Sequence, residues 1–418
     1  MATRKKNAFY AQSGGVTSVI NSSAAGLIET ARKHGIKVLA GKNGIIGALE
    51  EELIDTSKES AKDIYNLRYT PGGAFGSCRY KLRNPENNQA EYVRLFEVFD
   101  AHNIGYFFYN GGGDSQDTTH KISQMSKIIG YPLACIGIPK TIDNDLPLTD
   151  TCPGFGSTAK YIATSVREVD YDLKSMAVSS TKIFILEVMG RHSGWIAAAS
   201  GLAKELPEDA PHIILFPEIT FEEQPFLTKV ANTVDKYGRC VIVASEGVQN
   251  NNGFLLSDTE CLDAFGHARL GGIAPMVARL IQNRLGYKYH WAVADYLQRS
   301  ARHLSSKVDL EQAYALGKMS LLFALEGKSD IMTTIIRKSN KPYRWTIGWI
   351  DLAEVANLEK KIPADFITPD GFHITDACRE YMLPLIKGEL SPPFKNGLPQ
   401  FTRLKNILLN KKLLSVLQ

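Results

Sequence analysis

Lys140-Thr141-Ile142-Asp143-Asn144-Asp145 brings an ammonium, a hydroxyl and two carboxylates together directly after the apolar run Leu133–Ile138. One carboxylate of such a pair can take the proton of a substrate hydroxyl while the other helps to hold Mg²⁺. A solvated acidic loop is the competing reading. Two glycine-rich loops have the same placement. Ser13-Gly14-Gly15 follows Ala8–Gln12, and Asn110-Gly111-Gly112-Gly113-Asp114-Ser115 follows Tyr106–Tyr109. Glycines between a strand and a helix let backbone N–H groups close on an anion. Arg79 and Lys81 come after a third glycine-rich stretch, Gly72–Ser77. Met189-Gly190-Arg191, Ser245-Glu246 and Tyr296-Leu297-Gln298-Arg299 each follow a further apolar run. There an Arg can grip a phosphate and a Glu can accept sugar hydroxyls. Gly154-Phe155-Gly156-Ser157-Thr158-Ala159 matches G-x-G-x-x-A, but no strand ends just before it. It is expected to be an anion-facing helix start rather than a dinucleotide site.

These loops need strands and helices to aim them. Ala8–Gln12, Ile36–Ala40, Tyr106–Tyr109, Leu133–Ile138, Ile183–Val188, His212–Phe216 and Cys240–Ala244 are continuous apolar runs, with Trp291–Ala294 as a further short one. Continuous rather than alternating runs fit parallel strands covered on both faces. Between them, Val19–His34 and Glu91–His102 carry helical apolar stripes. The alternation reads as doubly wound α/β, whose ligands bind at the carboxyl ends of the strands. The chain has 418 residues, enough for two or three domains, with a boundary expected near Pro153-Gly154. Lys and Arg number 48 against 44 Asp and Glu, a balance that argues against a nucleic-acid binder. No apolar run has the length of a membrane span, and the N-terminal one is too short for a secretory signal. Six scattered cysteines (78, 135, 152, 240, 261 and 378) with no C-x-x-C read as reduced thiols of a cytoplasmic protein. Nine histidines without ligand spacing make a protein-built zinc site unexpected. The pattern turns irregular beyond about Asn340, and Arg403–Gln418 is expected to form a basic amphipathic terminal helix. The residues alone thus lead to an anion-rich cleft for Mg²⁺-assisted phosphoryl transfer.

In order and spacing, Ser13-Gly14-Gly15, Gly76-Ser77-Cys78-Arg79, Gly111–Ser115, Pro139–Asp145, Met189-Gly190-Arg191, Glu246 and Tyr296–Arg299 resemble the phosphofructokinase family over about residues 8–330. Asp114 and Lys140 stand where ATP-dependent members typically have glycine, which points to the pyrophosphate-dependent branch. The resemblance implies two doubly wound Rossmann-like domains with the active site between them. The larger would comprise 1–155 with roughly 301–380, and the smaller 156–300 with roughly 381–418. It also implies pyrophosphate and fructose 6-phosphate as substrates, Mg²⁺ as cofactor, and a homodimer or higher homo-oligomer.

The roles carry over by position. Asp143 would be the base for the C1 hydroxyl, and Asp145, with Asp114, would hold Mg²⁺. Gly14, Gly15, Asp114, Ser115 and Lys140 would meet the donor, with Arg79 facing the transferred phosphoryl group. Thr141, Asp143, Met189, Gly190, Arg191, Glu246, Tyr296 and Arg299 would surround the sugar phosphate. Lys182 and His290 would reach the 6-phosphate of a neighbouring subunit's substrate. The chain departs from the family pattern at three places: Gly113 replaces an acid near the metal, and Lys182 and His290 replace arginines. Lys182 keeps the charge without the bidentate fork, and His290 keeps it only when protonated. The alternatives are an ATP-dependent phosphofructokinase and a catalytically silent subunit that binds sugar phosphate.

Overall fold

The structure is a computed structural model that describes residues 5–86, 88–253, 255–256 and 272–413. The strands of its two main sheets, in chain order, are β1 (Asn7–Ser13), β2 (Val38–Gly41), β3 (Leu53–Asp55), β4 (Ser77–Cys78), β5 (Ile104–Gly111), β6 (Ala134–Pro139), β7 (Ile183–Val188), β8 (Ile213–Leu215), β9 (Cys240–Ser245), β10 (Tyr289–Val293), β11 (Ile331–Asn340) and β12 (Tyr343–Asp351). The first sheet has the order β12-β11-β6-β5-β1-β2-β3, with the short β4 paired to the end of β1. The second has the order β10-β7-β9-β8 and is parallel throughout.

The apolar runs form these strands because both faces are covered. Ala8, Phe9, Tyr10 and Ala11 are all fully buried: Ala8 and Tyr10 face one core with Leu27 and Ile28 of helix Ile20–Lys33, and Phe9 and Ala11 face the other with Leu95 and Phe99 of helix Gln89–Ala101. The second sheet is sandwiched in the same way, Val241 and Val243 on one side and Ile242 and Ala244 on the other.

Register matters most for function. Gln12 pairs with both Asn110 and Ser77, Ser13 with Cys78, and Gly111 with Pro139. The carboxyl ends of β1, β4, β5 and β6 are therefore level, and Gly14, Arg79, Gly112 and Lys140 leave the sheet side by side. In the second sheet Val188 pairs with Ser245, so Met189 and Glu246 leave together.

Two expectations are corrected. The region beyond Asn340 is regular at its start, and largely irregular only beyond Asp351. β12 closes an antiparallel hairpin with β11, which joins the first sheet beside β6. Arg403–Gln418 is not a helix over its described part. Residues 401–413 pass beside β3 without helix or strand of their own, and there the Asp55 N–H donates to Ile407 O and the Leu409 N–H to Leu53 O, each at 2.8 Å. The physical reason is the open edge of β3, whose backbone groups need partners. The C-terminal stretch packs on both units. Ile367, Ile374 and Cys378 pack in the core of the second unit, while Leu404 and Leu409 pack on the first. Cys261 and residues 414–418 lie outside the described residues.

Candidate active site

The level strand ends of the first sheet enclose a cavity of about 330 Å³, lined by Gly14, Gly15, Arg79, Lys81, Gly112, Gly113, Asp114, Ser115, Lys140, Thr141, Asp143 and Asp145 among others. Gly14 sits at φ +71°, a left-handed turn that glycine adopts without strain. Its N–H donates to Cys78 O at 2.9 Å, which ties the first loop to the Arg79 loop. At Gly15 the need is space: a Cβ there would lie 2.5 Å from Arg299 Nη1 and 3.6 Å from Arg79 Nη2. Two guanidinium groups therefore converge over this glycine. Gly112 caps helix Gly113–Ile129, and Asp114 lies in its first turn, where the helix dipole favours a carboxylate. Asp114 also forms an ion pair with Lys81 at 2.7 Å, and both side chains are more than half exposed.

Lys140 is almost fully buried, and its Nζ donates to Gly15 O at 2.6 Å. Burial pushes its pKa down to about 8, against the opposing pull of Asp143 and Asp145. Asp143 goes the other way. Burial first, then the charges of Asp145 and Glu246, raise it to about 6, while Lys140 lowers it. The Asp143 N–H donates to Thr141 Oγ1 at 3.1 Å, a turn that orients the carboxylate. Asp145 is raised as well, mainly by burial, and its Oδ1 is buried with no hydrogen-bond partner. Among the described residues no cluster of three or more His, Cys, Asp or Glu could hold a metal by itself. The free oxygen of Asp145, with Asp114 on the same cavity, suits instead a cation held by one or two carboxylates and completed by substrate phosphates.

Residues that follow the second sheet's strands approach this cavity: Arg299 reaches Gly15, and Glu246 acts on Asp143 through its charge. Gly190, at φ +129°, donates its N–H to Glu246 Oε1 at 3.4 Å. Arg299 lies over the Tyr296 ring at 3.7 Å from its centroid, and its reach to Gly15 brings these residues to the donor loop. Arg191 is exposed at the end of the same loop as Gly190. Lys182 and His290 are not brought to this cavity. Lys182 precedes β7 and His290 pairs with Phe184 near the start of that strand. At about 3.3 Å per residue, Lys182 is roughly 20 Å along the strand from Met189.

Gly154-Phe155-Gly156-Ser157 does start a helix, Phe155–Met176, and the anion it faces is the protein's own. Asp309 accepts from the Gly154 and Ser157 N–H groups at 2.9 Å and from Ser157 Oγ at 2.6 Å. Sequence reasoning did not find Glu187, a buried carboxylate in β7 that accepts from the Ala274 N–H at 3.0 Å, because a single acid inside an apolar strand carries no motif.

A family model described as Phosphofructokinase matches residues 7–320, and the chain belongs to the phosphofructokinase family. Among its relatives, a pyrophosphate–fructose 6-phosphate 1-phosphotransferase of Methylococcus capsulatus is 59% identical over 411 residues, 98% of either chain. One of the same description from Halomonas elongata is 58% identical, covering 97% of this chain and 98% of that one. The crystal structure of a pyrophosphate-dependent phosphofructokinase from Marinobacter aquaeolei matches with a TM-score of 0.91 and 59% identity, over 99% of this chain and all of that one.

Proposed function

We propose that the protein transfers a phosphoryl group reversibly from pyrophosphate to the C1 hydroxyl of fructose 6-phosphate, giving fructose 1,6-bisphosphate and phosphate. The observation that carries this reading is Lys140, whose buried ammonium stands beside Asp143 between two glycine loops, at the place a short donor would end. Near-full-length relatives at 58–59% identity carry the same activity in their descriptions and support it.

Asp143 accepts the proton of the C1 hydroxyl as that oxygen attacks the terminal phosphorus. The new C1 O–P bond forms while the bridging P–O bond of pyrophosphate breaks, and phosphate leaves. Lys140, Arg79 and Arg299 offset the charge that spreads over the transferred oxygens, and Gly14 and Gly15 bring backbone close to the donor. Such transfer depends on positioning and neutralisation rather than on a covalent intermediate. Asp145, assisted by Asp114, would hold a divalent cation, in our reading Mg²⁺, which neutralises donor phosphate charge. Gly190, Glu246 and Tyr296 orient the sugar.

Lys182 and His290 contribute only if a second copy brings them to its neighbour's cleft, so the working form is a homodimer or a larger homo-oligomer with shared sites. The described cysteines are unpaired, in keeping with a cytoplasmic setting. Incubation of the purified protein with fructose 1,6-bisphosphate, phosphate and Mg²⁺ tests the reading. Pyrophosphate and fructose 6-phosphate should accumulate, and their absence would refute it.

A further inference from the structure

Residues 352–362 follow β12 and lie beyond the 7–320 stretch matched by the family model. They return to the loop that carries the two catalytic-loop carboxylates, and Lys360 makes the contact. Its N–H donates to Asp145 O at 2.6 Å. Its Nζ donates to Thr149 O at 3.1 Å and Asp150 O at 3.2 Å, and reaches Asn144 Oδ1 at 3.4 Å. Its own carbonyl accepts from Trp195 Nε1 at 3.1 Å. Trp195 opens the helix Trp195–Ser200 just after Met189-Gly190-Arg191, on the sugar side of the cleft.

Asn144 is the reason this matters. It lies between Asp143 and Asp145 at φ +53°, in the left-handed region, and its side chain is fully buried. A strained residue persists only where its surroundings over-determine it. Asn144 Oδ1 accepts from the Cys152 N–H at 3.0 Å, and Nδ2 donates to Tyr381 Oη at 3.2 Å. Arg337 grips the far end of the loop through both oxygens of Asp150, at 2.9 and 3.0 Å. Lys360 joins that far end to the Asn144 turn and to Trp195.

Resting on the reading above, we propose that Lys360 is a positioning residue for phosphoryl transfer: it fixes the left-handed Asn144 turn, and with it the directions of Asp143 and Asp145, and ties that turn to the sugar wall through Trp195. Lys360 touches neither substrate. A misplacement of about 1 Å at reacting groups can cost about 10²-fold in rate, so slackening this turn should lower kcat and leave binding largely intact.

The test compares Lys360→Met, Lys360→Gln and Lys360→Arg by steady-state kinetics and by backbone hydrogen exchange of the whole protein without substrates. For Lys360→Met and Lys360→Gln, which remove the Nζ bonds and keep the backbone ones, we expect a fall in kcat of about 10-fold or more, KM values within about 3-fold, and faster exchange confined to 141–152. Lys360→Arg, which still reaches the same carbonyls, should recover most of kcat. If the Met variant does not fold, the Gln variant decides. Unchanged exchange over 141–152, or a loss of kcat matched by faster exchange throughout both sheets, would overturn the proposal. Should the wild type prove inactive with pyrophosphate, the function assigned above fails, yet the exchange comparison still decides whether Lys360 holds the turn.

Discussion

At the scale of single residues, the proposed mechanism asks opposite things of Asp143 and Lys140, an ionised base and a protonated cation. Burial with neighbouring negative charge raises Asp143 to about 6. Burial lowers Lys140 to about 8. The base is therefore lost as pH falls through about 6, and the cation as pH rises through about 8. A profile of kcat/KM against pH should be a bell with limbs near those values, reporting the free enzyme. A rate flat from pH 5 to 9 would remove both assignments. Asp143→Asn should lower kcat by at least about 10²-fold while circular dichroism stays that of the wild type. Asp143, Lys140 and their loop were legible because chain order alone carries them: a cation and two acids placed after a buried run. The Lys81–Asp114 pair was not. Lys81 is 33 positions away in sequence, and only the level ends of β4 and β5 bring the two together. That pair bears on how Asp114 would act on a donor. An unpaired Asp114 would repel a nucleotide phosphate by charge, and two unit charges about 4 Å apart at an effective dielectric of about 20 repel by about 4 kcal/mol. With Lys81 at 2.7 Å and both groups solvated, much of that repulsion is offset and screened. The bulk of the Asp114 side chain then carries more of the exclusion.

At the scale of elements, the parallel strands were readable because burial on both faces leaves continuous apolar runs, and β7 was bounded to the residue. β11 was not, because its environment changes midway. Ile331–Ile335 is buried on both faces, and from Ile336 exposure alternates as the strand passes the edge of the core. β12 carries a period of two, Tyr343, Trp345 and Ile347 partly covered against exposed Arg344 and Thr346, so a signal was present there. The tail misled for a related reason. Leu404, Ile407 and Leu408 have helical spacing, yet the open edge of β3 recruits the segment through backbone hydrogen bonds and a single bridge, Ile54 with Leu408. The start of helix Phe155–Met176 gives the prediction proper to this scale. Asp309 is buried in that role, so Asp309→Ala leaves the Gly154 and Ser157 N–H groups and the Ser157 hydroxyl proton without their acceptor. Stability should fall by about 2–4 kcal/mol, read from the urea midpoint. A midpoint within error of the wild type would contradict the cap.

At the scale of the whole molecule, the proposed mechanism places the reaction where the carboxyl ends of the two sheets approach each other, and it asks a second chain to complete the sugar site. Lys182 and His290 lie at the wrong end of their strands to serve their own cavity. Lys182→Met should raise KM for fructose 6-phosphate by about 10-fold with kcat nearly unchanged, and sedimentation should find a dimer or larger species at assay concentration. A fully active monomer would contradict shared sites. The claim on which the rest depends is the donor, and a direct competition measures it: fructose 1,6-bisphosphate formation by the purified wild type with pyrophosphate and with ATP, at equal fructose 6-phosphate and Mg²⁺, repeated with Asp114→Gly. We expect kcat/KM for pyrophosphate at least about 10²-fold above that for ATP in the wild type, and a narrower ratio once Asp114 is removed. Comparable use of both donors by the wild type would contradict that expectation.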